Sequence, residues 1–396
     1  MHHLRNRMIF PYIVLLTLLS GPALNSIIIK ELQLYHVIIP MAISLIFFRF
    51  CRYQIINRNV FYVCLLFLLF LLTHLENGLI RAESLDRLFI YLFYFSFTFA
   101  CFLITVFYVK LIGVDRALKL LALVMNISLL VMSLEFIFNT PVYGHVGSFL
   151  MANVNNQIAT VILLASVFLL AGKIKRYLIY AGIIFILAIF ADARLGALSL
   201  GLQLFFVAMF FLENRFKYYL LIFIGFCLFL FLLTDFSQDL ILVLEAIYNS
   251  FLNPTAIIDI VEGGEGSSIS VRMYTVLEMF KGIVEGDILV WLFGYGAGQL
   301  NITIPFTRYD IISEYYSPHF FYIEVFYYYG LSFYIFYYVI LRLLNPNLVR
   351  IRNIFIISPS LFSIVLASSA VYLIPLYVFL GYYVIIVNNN LKDKII

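Results

Sequence analysis

The chain is short of charged residues. Asp, Glu, Lys and Arg make up 12% of its 396 residues, whereas 64% are hydrophobic and the mean hydropathy is +1.04. An average soluble domain carries about 25% charged residues. A water-soluble fold of this length cannot bury so much apolar surface, but a lipid bilayer can accommodate it. The scarcity of charge therefore indicates an integral membrane protein and argues against a nucleic-acid-binding one.

Cysteines are few, and the common cofactor motifs are missing. The four cysteines, Cys51, Cys64, Cys101 and Cys227, all fall in apolar segments, where a thiol behaves as a small hydrophobic group. Their spacing gives neither a disulfide framework nor a CxxC zinc pair. The chain has no P-loop, no GxGxxG motif after a strand, no HExxH motif and no aspartate pair with metal-ligand spacing. We therefore expect no metal, no cofactor and no coupling to ATP.

Long apolar runs recur along the whole sequence. A spanning helix needs about 20 apolar residues, or about 17 at the short end. We therefore predict an all-α, polytopic integral membrane protein in which residues 1–396 form one membrane domain with about twelve transmembrane helices. The last apolar run is too long for one crossing, so we divide it at 367–370. The predicted helices are 8–29, 33–51, 59–75, 88–109, 117–138, 155–171, 178–192, 195–212, 218–234, 319–341, 353–368 and 370–387.

The basic residues orient these helices. With the N-terminus in the cytoplasm and helices that alternate in direction, 18 of the 25 basic residues fall on the cytoplasmic side. This excess fits the positive-inside rule and places both termini in the cytoplasm. The seven basic residues on the outer side oppose the rule, so each is a candidate for function. They are Lys30, Arg81, Arg87, Arg194, Arg272, Lys281 and Arg308.

One predicted outer loop is far longer than the others. Residues 235–318 separate two predicted helices and contain an acidic, glycine-rich stretch at 261–268. A helical pattern follows at 269–285, and a glycine turn follows at 294–298. Long ordered loops in compact proteins are usually functional. We therefore expect this extracytoplasmic loop to take part in the chemistry.

Two outer arginines are the strongest candidates for binding an anion. Arg194 lies between two apolar helices at the predicted membrane boundary, where a guanidinium can grip a phosphate with two hydrogen bonds. The alternative is that it pairs with Asp192 or reaches lipid headgroups. Arg272 begins the loop helix, where positive charge does not help the helix dipole. The alternative interpretation is that Arg272 is an ordinary solvated surface residue.

The helix that follows the loop supplies a titratable candidate. His319 lies at the boundary of this helix, where an imidazole can move protons near neutral pH or serve as an interfacial polar group. Glu324 lies inside the apolar helix, and an ionisable group at membrane depth is a functional candidate. Five residues turn a helix by about 140°, so the two side chains do not share a face, and Glu324 is expected to brace a neighbouring helix.

Further residues are weaker candidates for substrate contact. Tyr322 belongs to a tyrosine-rich stripe that either forms an interfacial aromatic belt or stacks on sugar rings. The remaining candidates are Arg81, Arg87, His74, His145 and Arg308.

Taken in order, these motifs resemble the O-antigen polymerase and ligase superfamily of bacterial envelope glycan assembly. The resemblance covers roughly residues 150–340 by motif and the whole chain by topology. It rests on the asparagine-containing helix start at 152–159, the arginine turn at 193–197, Arg272 with the glycine segment 292–298, and Pro318-His319 with Gly330 eleven residues later.

The resemblance implies a GT-C-like, metal-independent glycosyltransferase in a bacterial inner membrane. Donor and acceptor would be glycans on undecaprenyl diphosphate, and a chain-length regulator protein would be a further partner beside membrane lipid. Arg194 and Arg272 would hold the donor diphosphate, and His319 would deprotonate or position the acceptor hydroxyl. A repeat-unit polymerase is the leading interpretation, with O-antigen ligase as the closest alternative. A flippase or other transporter is the alternative from another class, and it predicts several ionisable residues deep inside helices.

Overall fold

The computed structural model describes most of the chain as a bundle of helices. No strand occurs among the residues it describes, so the predicted all-α class is confirmed for them. Inside some helices only the backbone is described. The described residues are 9–19, 34–53, 58–81, 84–141, 146, 154–191, 193–211, 218, 222, 225, 268–298, 321–345, 351–364 and 373–392.

Thirteen helices lie in these described ranges. They are α1 (Ile9–Leu19), α2 (Leu34–Tyr53), α3 (Arg58–Arg81), α4 (Leu85–Ile112), α5 (Val114–Phe138), α6 (Val154–Leu170), α7 (Ile174–Phe190), α8 (Arg194–Phe211), α9 (Ser268–Glu285), α10 (Ile288–Phe293), α11 (Phe321–Leu344), α12 (Ile351–Phe362) and α13 (Ile374–Lys392).

Eleven of the twelve predicted apolar segments coincide with helices. The twelfth, 218–234, lies outside the described residues except for three positions. Four helices are long and apolar enough to cross a membrane, which agrees with a membrane protein. These four are Phe61–Arg81, Leu85–Ile112, Val114–Phe138 and Phe321–Leu344.

The helices that flank the first predicted outer arginines are longer than predicted. α3 continues six residues beyond the predicted end at 75, and α4 begins three residues before the predicted start at 88. Arg81 therefore lies in the last turn of α3, and Arg87 lies in the first turn of α4, rather than in a loop. The extension follows from the sequence, since Leu79 and Ile80 continue the apolar character of α3 up to Arg81.

Short turns make neighbouring helices antiparallel. Gly113 alone separates α4 from α5, and its φ of 87° is a conformation that glycine adopts readily. α6 and α7 are joined by a turn at 171–173. Because α7 returns along α6, α8 runs parallel to α6, as the contacts of Gly196 with Ile158 and of Gln203 with Ser166 show.

The core of the bundle lies around α6 and α13. α6 is buried from Asn156 to Leu170, as expected for a helix that is apolar on all sides. α13 packs against α4 and α6. Gly381 permits this approach, because an added Cβ would lie 2.7 Å from Cβ of Thr105 on α4.

A buried polar cluster joins α6, α8 and α12. The amide nitrogen of Gln203 donates to the hydroxyls of Ser166 and Ser360, each at 2.7 Å. The hydroxyl of Ser199 donates to the carbonyl of Pro359 in the same region. Hydrogen bonds between side chains in an apolar interior help to fix the register of the helices that carry them. The cluster therefore holds the first turns of α8 against the C-terminal part of α12.

The alternating topology gives the bundle two distinct ends. We call one the glycine-turn end, defined by the turn at 294–298, the C-terminal turns of α3, α5, α7 and α12, and the N-terminal turns of α4, α6, α8 and α11. We call the other the basic end, defined by the α4–α5 and α6–α7 turns and the C-terminal turn of α11. Among the described side chains, seven of eight carboxylates lie at the glycine-turn end, and Asp115 lies at the basic end.

Candidate functional site

The glycine-turn end brings the starts of α8 and α11 to the same neighbouring helix. The hydroxyl of Tyr322, in the first turn of α11, donates to the carbonyl of Leu361 near the end of α12 at 2.9 Å. Ser199 of α8 bonds to Pro359 in the preceding turn of α12. The starts of α8 and α11 therefore flank the same end of α12.

The backbone places two of the three predicted catalytic residues. Arg194 is the first residue of α8, and Arg272 lies in the first turns of α9, although the structure does not describe either side chain. His319 lies outside the described residues, two positions before α11 begins at Phe321. The substrate candidates His145 and Arg308 also lie outside the described residues. The roles assigned to these residues remain predictions.

Arg81 has a defined partner. Its Nη2 atom lies 3.1 Å from both carboxylate oxygens of Asp287, the residue before α10. Asp287 also caps α10, because its Oδ1 atom accepts from the N–H of Val290 at 2.8 Å. The Val290 N–H, together with Arg81, lowers the pKa of the Asp287 carboxyl. This guanidinium thus ties α3 to the start of α10, besides the substrate contact predicted for it.

The glycine turn is seated on three helices. Nδ2 of Asn77, in α3, donates to the carbonyls of Gly294 at 3.1 Å and of Phe293 at 3.3 Å. The N–H of Tyr295 donates to the carbonyl of Tyr327 in α11 at 2.8 Å. At the other end of the turn, an added Cβ at Gly298 would lie 3.1 Å from the carbonyl oxygen of Arg87 in α4. The turn therefore contacts α3, α4 and α11 through backbone groups.

α11 is broken where the glycine turn meets it. Gly330 has φ 62° and ψ −159°, which is not helical and is a region almost reserved for glycine. An added Cβ there would lie 2.6 Å from the carbonyl carbon of Leu292 and 2.6 Å from the nitrogen of Phe293. An added Cβ at Gly294 would lie 2.4 Å from the carbonyl carbon of Tyr328. Both glycines allow two backbones to meet without side chains between them.

One histidine and two glutamates are buried among the described residues: His74, Glu135 and Glu324. Glu324 lies in the first turn of α11, as predicted for an ionisable group inside that helix, and is 1% exposed. Nε2 of His74 lies 2.8 Å from the hydroxyl of Ser332, just beyond the α11 break. Buried ionisable groups at membrane depth are candidates for function.

Sequence reasoning missed the residues that hold this end together. Asn77 and Asp287 were not singled out, because each bonds a residue more than 200 positions away. The turn at 294–298 was singled out by its glycines, and Gly330 by its place in the resemblance. Neither pattern revealed that Gly294 and Gly330 meet each other.

The described residues contain no group of three or more His, Cys, Asp or Glu placed to hold a metal ion. No protein-family model, no curated protein and no solved structure matches the chain.

Proposed function

We propose that the protein is a membrane glycosyltransferase that polymerises oligosaccharide repeat units on polyprenyl diphosphate. The observation that carries the proposal is that α8, which begins at Arg194, and α11, which begins just after His319, both contact the same end of α12. Arg272 lies in α9, and α9 packs on α11. Two arginines that can bind phosphate and a histidine that can take up a proton, all at one membrane boundary, would suit a lipid-linked diphosphate substrate.

The charges at the two ends support an orientation for this site. The side chains described at the basic end include seven lysines and arginines, whereas those at the glycine-turn end include three. The positive-inside rule then assigns the basic end to the cytoplasm and the glycine-turn end to the outer face. Both termini would be cytoplasmic, and the helices too short to be assigned as spans by length would complete a bundle of about twelve crossings. The seven basic residues at the basic end are Lys110, Arg116, Lys119, Lys173, Lys175, Arg176 and Arg342. The three at the glycine-turn end are Arg81, Arg87 and Lys281.

In the proposed reaction the acceptor hydroxyl oxygen bonds to the anomeric carbon of the donor glycan. The bond between that carbon and the diphosphate oxygen breaks, and the polyprenyl diphosphate leaves with the bonding electrons. His319 accepts the hydroxyl proton or positions the hydroxyl. Arg194 and Arg272 counter the negative charge that develops on the leaving diphosphate, and the N-terminus of α8 adds the favourable end of its helix dipole.

A deletion strain tests the proposed function. Loss of a polymerase leaves surface glycan capped with a single repeat unit, which a gel separates from the wild-type ladder. Loss of a ligase leaves core without glycan and accumulates lipid-linked polymer. Loss of a transporter accumulates lipid-linked repeat units on the cytoplasmic face. Unchanged surface glycan in the deletion strain would overturn the proposal.

Complementation with single variants tests the site itself. Arg194→Lys keeps the charge but removes the two-pronged guanidinium grip, so we expect a loss of polymer of about tenfold or more if that grip contributes about 1.4 kcal/mol or more. Arg116→Lys, at the basic end, is the matched control and should restore the full ladder. Full activity of the Arg194→Lys variant at wild-type protein level would argue against a diphosphate grip by this residue.

A further inference from the structure

α10 exposes most of its side chains although they are apolar. The helix reads Ile-Leu-Val-Trp-Leu-Phe, and only Val290 is buried against the protein. Ile288 is 70% exposed, and Leu289, Trp291 and Leu292 are also exposed. A segment that projects into water rarely shows so many large apolar side chains together. We therefore expect α10 to lie in an apolar or interfacial environment.

The contacts of α10 fix its depth relative to α3. Its first turn is tied to Arg81, the last residue of a helix long and apolar enough to span a membrane. Its end is tied to Asn77, four residues earlier in α3 and about 6 Å further along the helix axis. The ring of Phe293 lies 6.3 Å from that of His74, about 10 Å below Arg81 along α3. α10 thus runs alongside the last two turns of α3, from Arg81 toward the middle of that helix.

The backbone around α10 meets the requirement for irregular structure at membrane depth. Non-helical backbone there must have its polar groups satisfied inside the protein. The carbonyls of Phe293 and Gly294 accept from Asn77, and the N–H of Tyr295 donates to Tyr327. In an unbroken α-helix the Tyr327 carbonyl would accept from the residue four positions later, so the break at Gly330 makes it available for Tyr295.

α9 continues the exposed apolar surface on one flank only. Met279 and Ile283 are buried, which turns this face toward the protein. Lys281 and Glu285 are exposed and polar, on the side away from the protein. Phe280 and Val284 are exposed and apolar, four residues apart, on the flank between these two faces. A helix that lies along a membrane surface beside a protein has this division of faces.

We infer that α10, with Phe280 and Val284 of α9, inserts into the bilayer at the boundary between headgroups and acyl chains. The occupant of this surface is lipid, because the surface continues the exposed apolar side of α3, where Ile80 precedes Arg81 and is also exposed. Trp291 at this level fits the preference of tryptophan for the membrane interface. The insertion sets the depth of the glycine-turn end in the membrane, and the inference is independent of the reaction proposed above.

The single tryptophan of the chain makes the inference directly measurable. Trp291 is the only tryptophan, so the intrinsic fluorescence of the full-length protein reports this one position. The purified protein is reconstituted in phospholipid vesicles whose acyl chains carry bromine either near the headgroup or near the midplane. We expect strong quenching by bromine near the headgroup, weaker quenching by bromine near the midplane, and little quenching by aqueous acrylamide.

A matched variant places the tryptophan on the polar face of α9. In the Trp291→Phe, Glu285→Trp protein, we expect acrylamide to quench and brominated lipid to have little effect. For the wild-type protein, quenching by acrylamide without quenching by brominated lipid would overturn the inference. Protection of Trp291 from both quenchers would also overturn it, because protein would then cover the surface that we assign to lipid.

Discussion

Both ends of the bundle contain three-residue connections between helices, but they differ in charge and in backbone regularity. At the basic end, a single residue or a three-residue turn connects neighbouring helices, and lysines and arginines surround the turns. At the glycine-turn end, a helix is broken at Gly330, and a non-helical segment is seated among three helices. The described carboxylates, with one exception, also lie there.

The features that orient the protein in the membrane therefore lie at one end, and the candidate functional features lie at the other. Short turns with positive charge satisfy the orientation rule. Backbone in a glycine-only conformation and buried ionisable groups are costly to maintain, and such features concentrate at functional sites. The glycine-turn end is therefore the candidate site of function.

The largest expected contrast is in accessibility from outside the cell. In a cysteine-free background, Glu285→Cys places a thiol on the exposed polar face of α9, and Lys175→Cys places one at the basic end. A membrane-impermeant maleimide added to intact cells should label the first and not the second, because the bilayer separates the two ends. Permeabilised cells provide the control, since both thiols should then react. Labelling of Lys175→Cys alone in intact cells would mean that the orientation is the reverse of the one proposed.

The next contrast concerns the broken backbone. Gly330→Ala puts a Cβ within 2.6 Å of backbone atoms at a glycine-only conformation, so we expect a loss of about 3 kcal/mol or more in unfolding free energy. Gly201→Ala is the matched control, because it lies inside α8 with nothing within 4 Å of an added Cβ. That variant should be neutral or more stable by up to about 1 kcal/mol. Thermal denaturation in detergent measures both, and equal stability would show that α11 tolerates a side chain at its break.

A third contrast uses two asparagines of the same helix. Asn77→Ala leaves two carbonyls of the glycine turn without their donor, so we expect a loss of about 1–3 kcal/mol. Asn59 donates to the carbonyl of Leu343 at the basic end, but it is exposed, and water can replace it. Asn59→Ala should therefore cost about 0.5 kcal/mol or less. Urea or thermal titration of the two variants in the same detergent gives the comparison, and equal losses would contradict the distinction between the ends.

The sequence predicted the helices of both ends but not their packing. Apolar runs identify helices because the bilayer imposes length and composition, and the loop helix predicted at 269–285 begins at Ser268 and ends at Glu285. α10 was not predicted, because six apolar residues are too few for a span and too few to show a helical period. The outer arginines were recognised because they oppose the orientation rule.

The contacts that make the site could not be read from local patterns. Asn77 looks like any polar residue near a helix end, and its role depends on a turn 217 residues later. Arg81 was predicted to contact substrate because its charge is unusual on that side, and the position of Asp287 beside it is a matter of tertiary structure. Whether Arg194, Arg272 and His319 share one cavity stays a prediction.

The smallest expected effect concerns the ion pair at the start of α10. Asp287→Asn removes the charge that pairs with Arg81 but keeps a side-chain oxygen that can cap the helix, whereas Asp287→Ala removes both. Since Asp287 is exposed and such pairs contribute little, we expect the asparagine variant to be slightly less stable than the wild type at neutral pH and the alanine variant to be less stable still.

The pH dependence distinguishes the contribution of charge from that of the cap. The folded-state pKa of Asp287 is lowered, first by the Val290 N–H and then by Arg81, so its charge stabilises the fold above the unfolded-state pKa of about 3.9. This contribution is lost as the pH falls through the lower folded-state pKa. The stability difference between wild type and Asp287→Asn should therefore shrink between about pH 5 and pH 3. A difference that stays constant over this range would mean that the carboxylate charge does not hold α10 against α3.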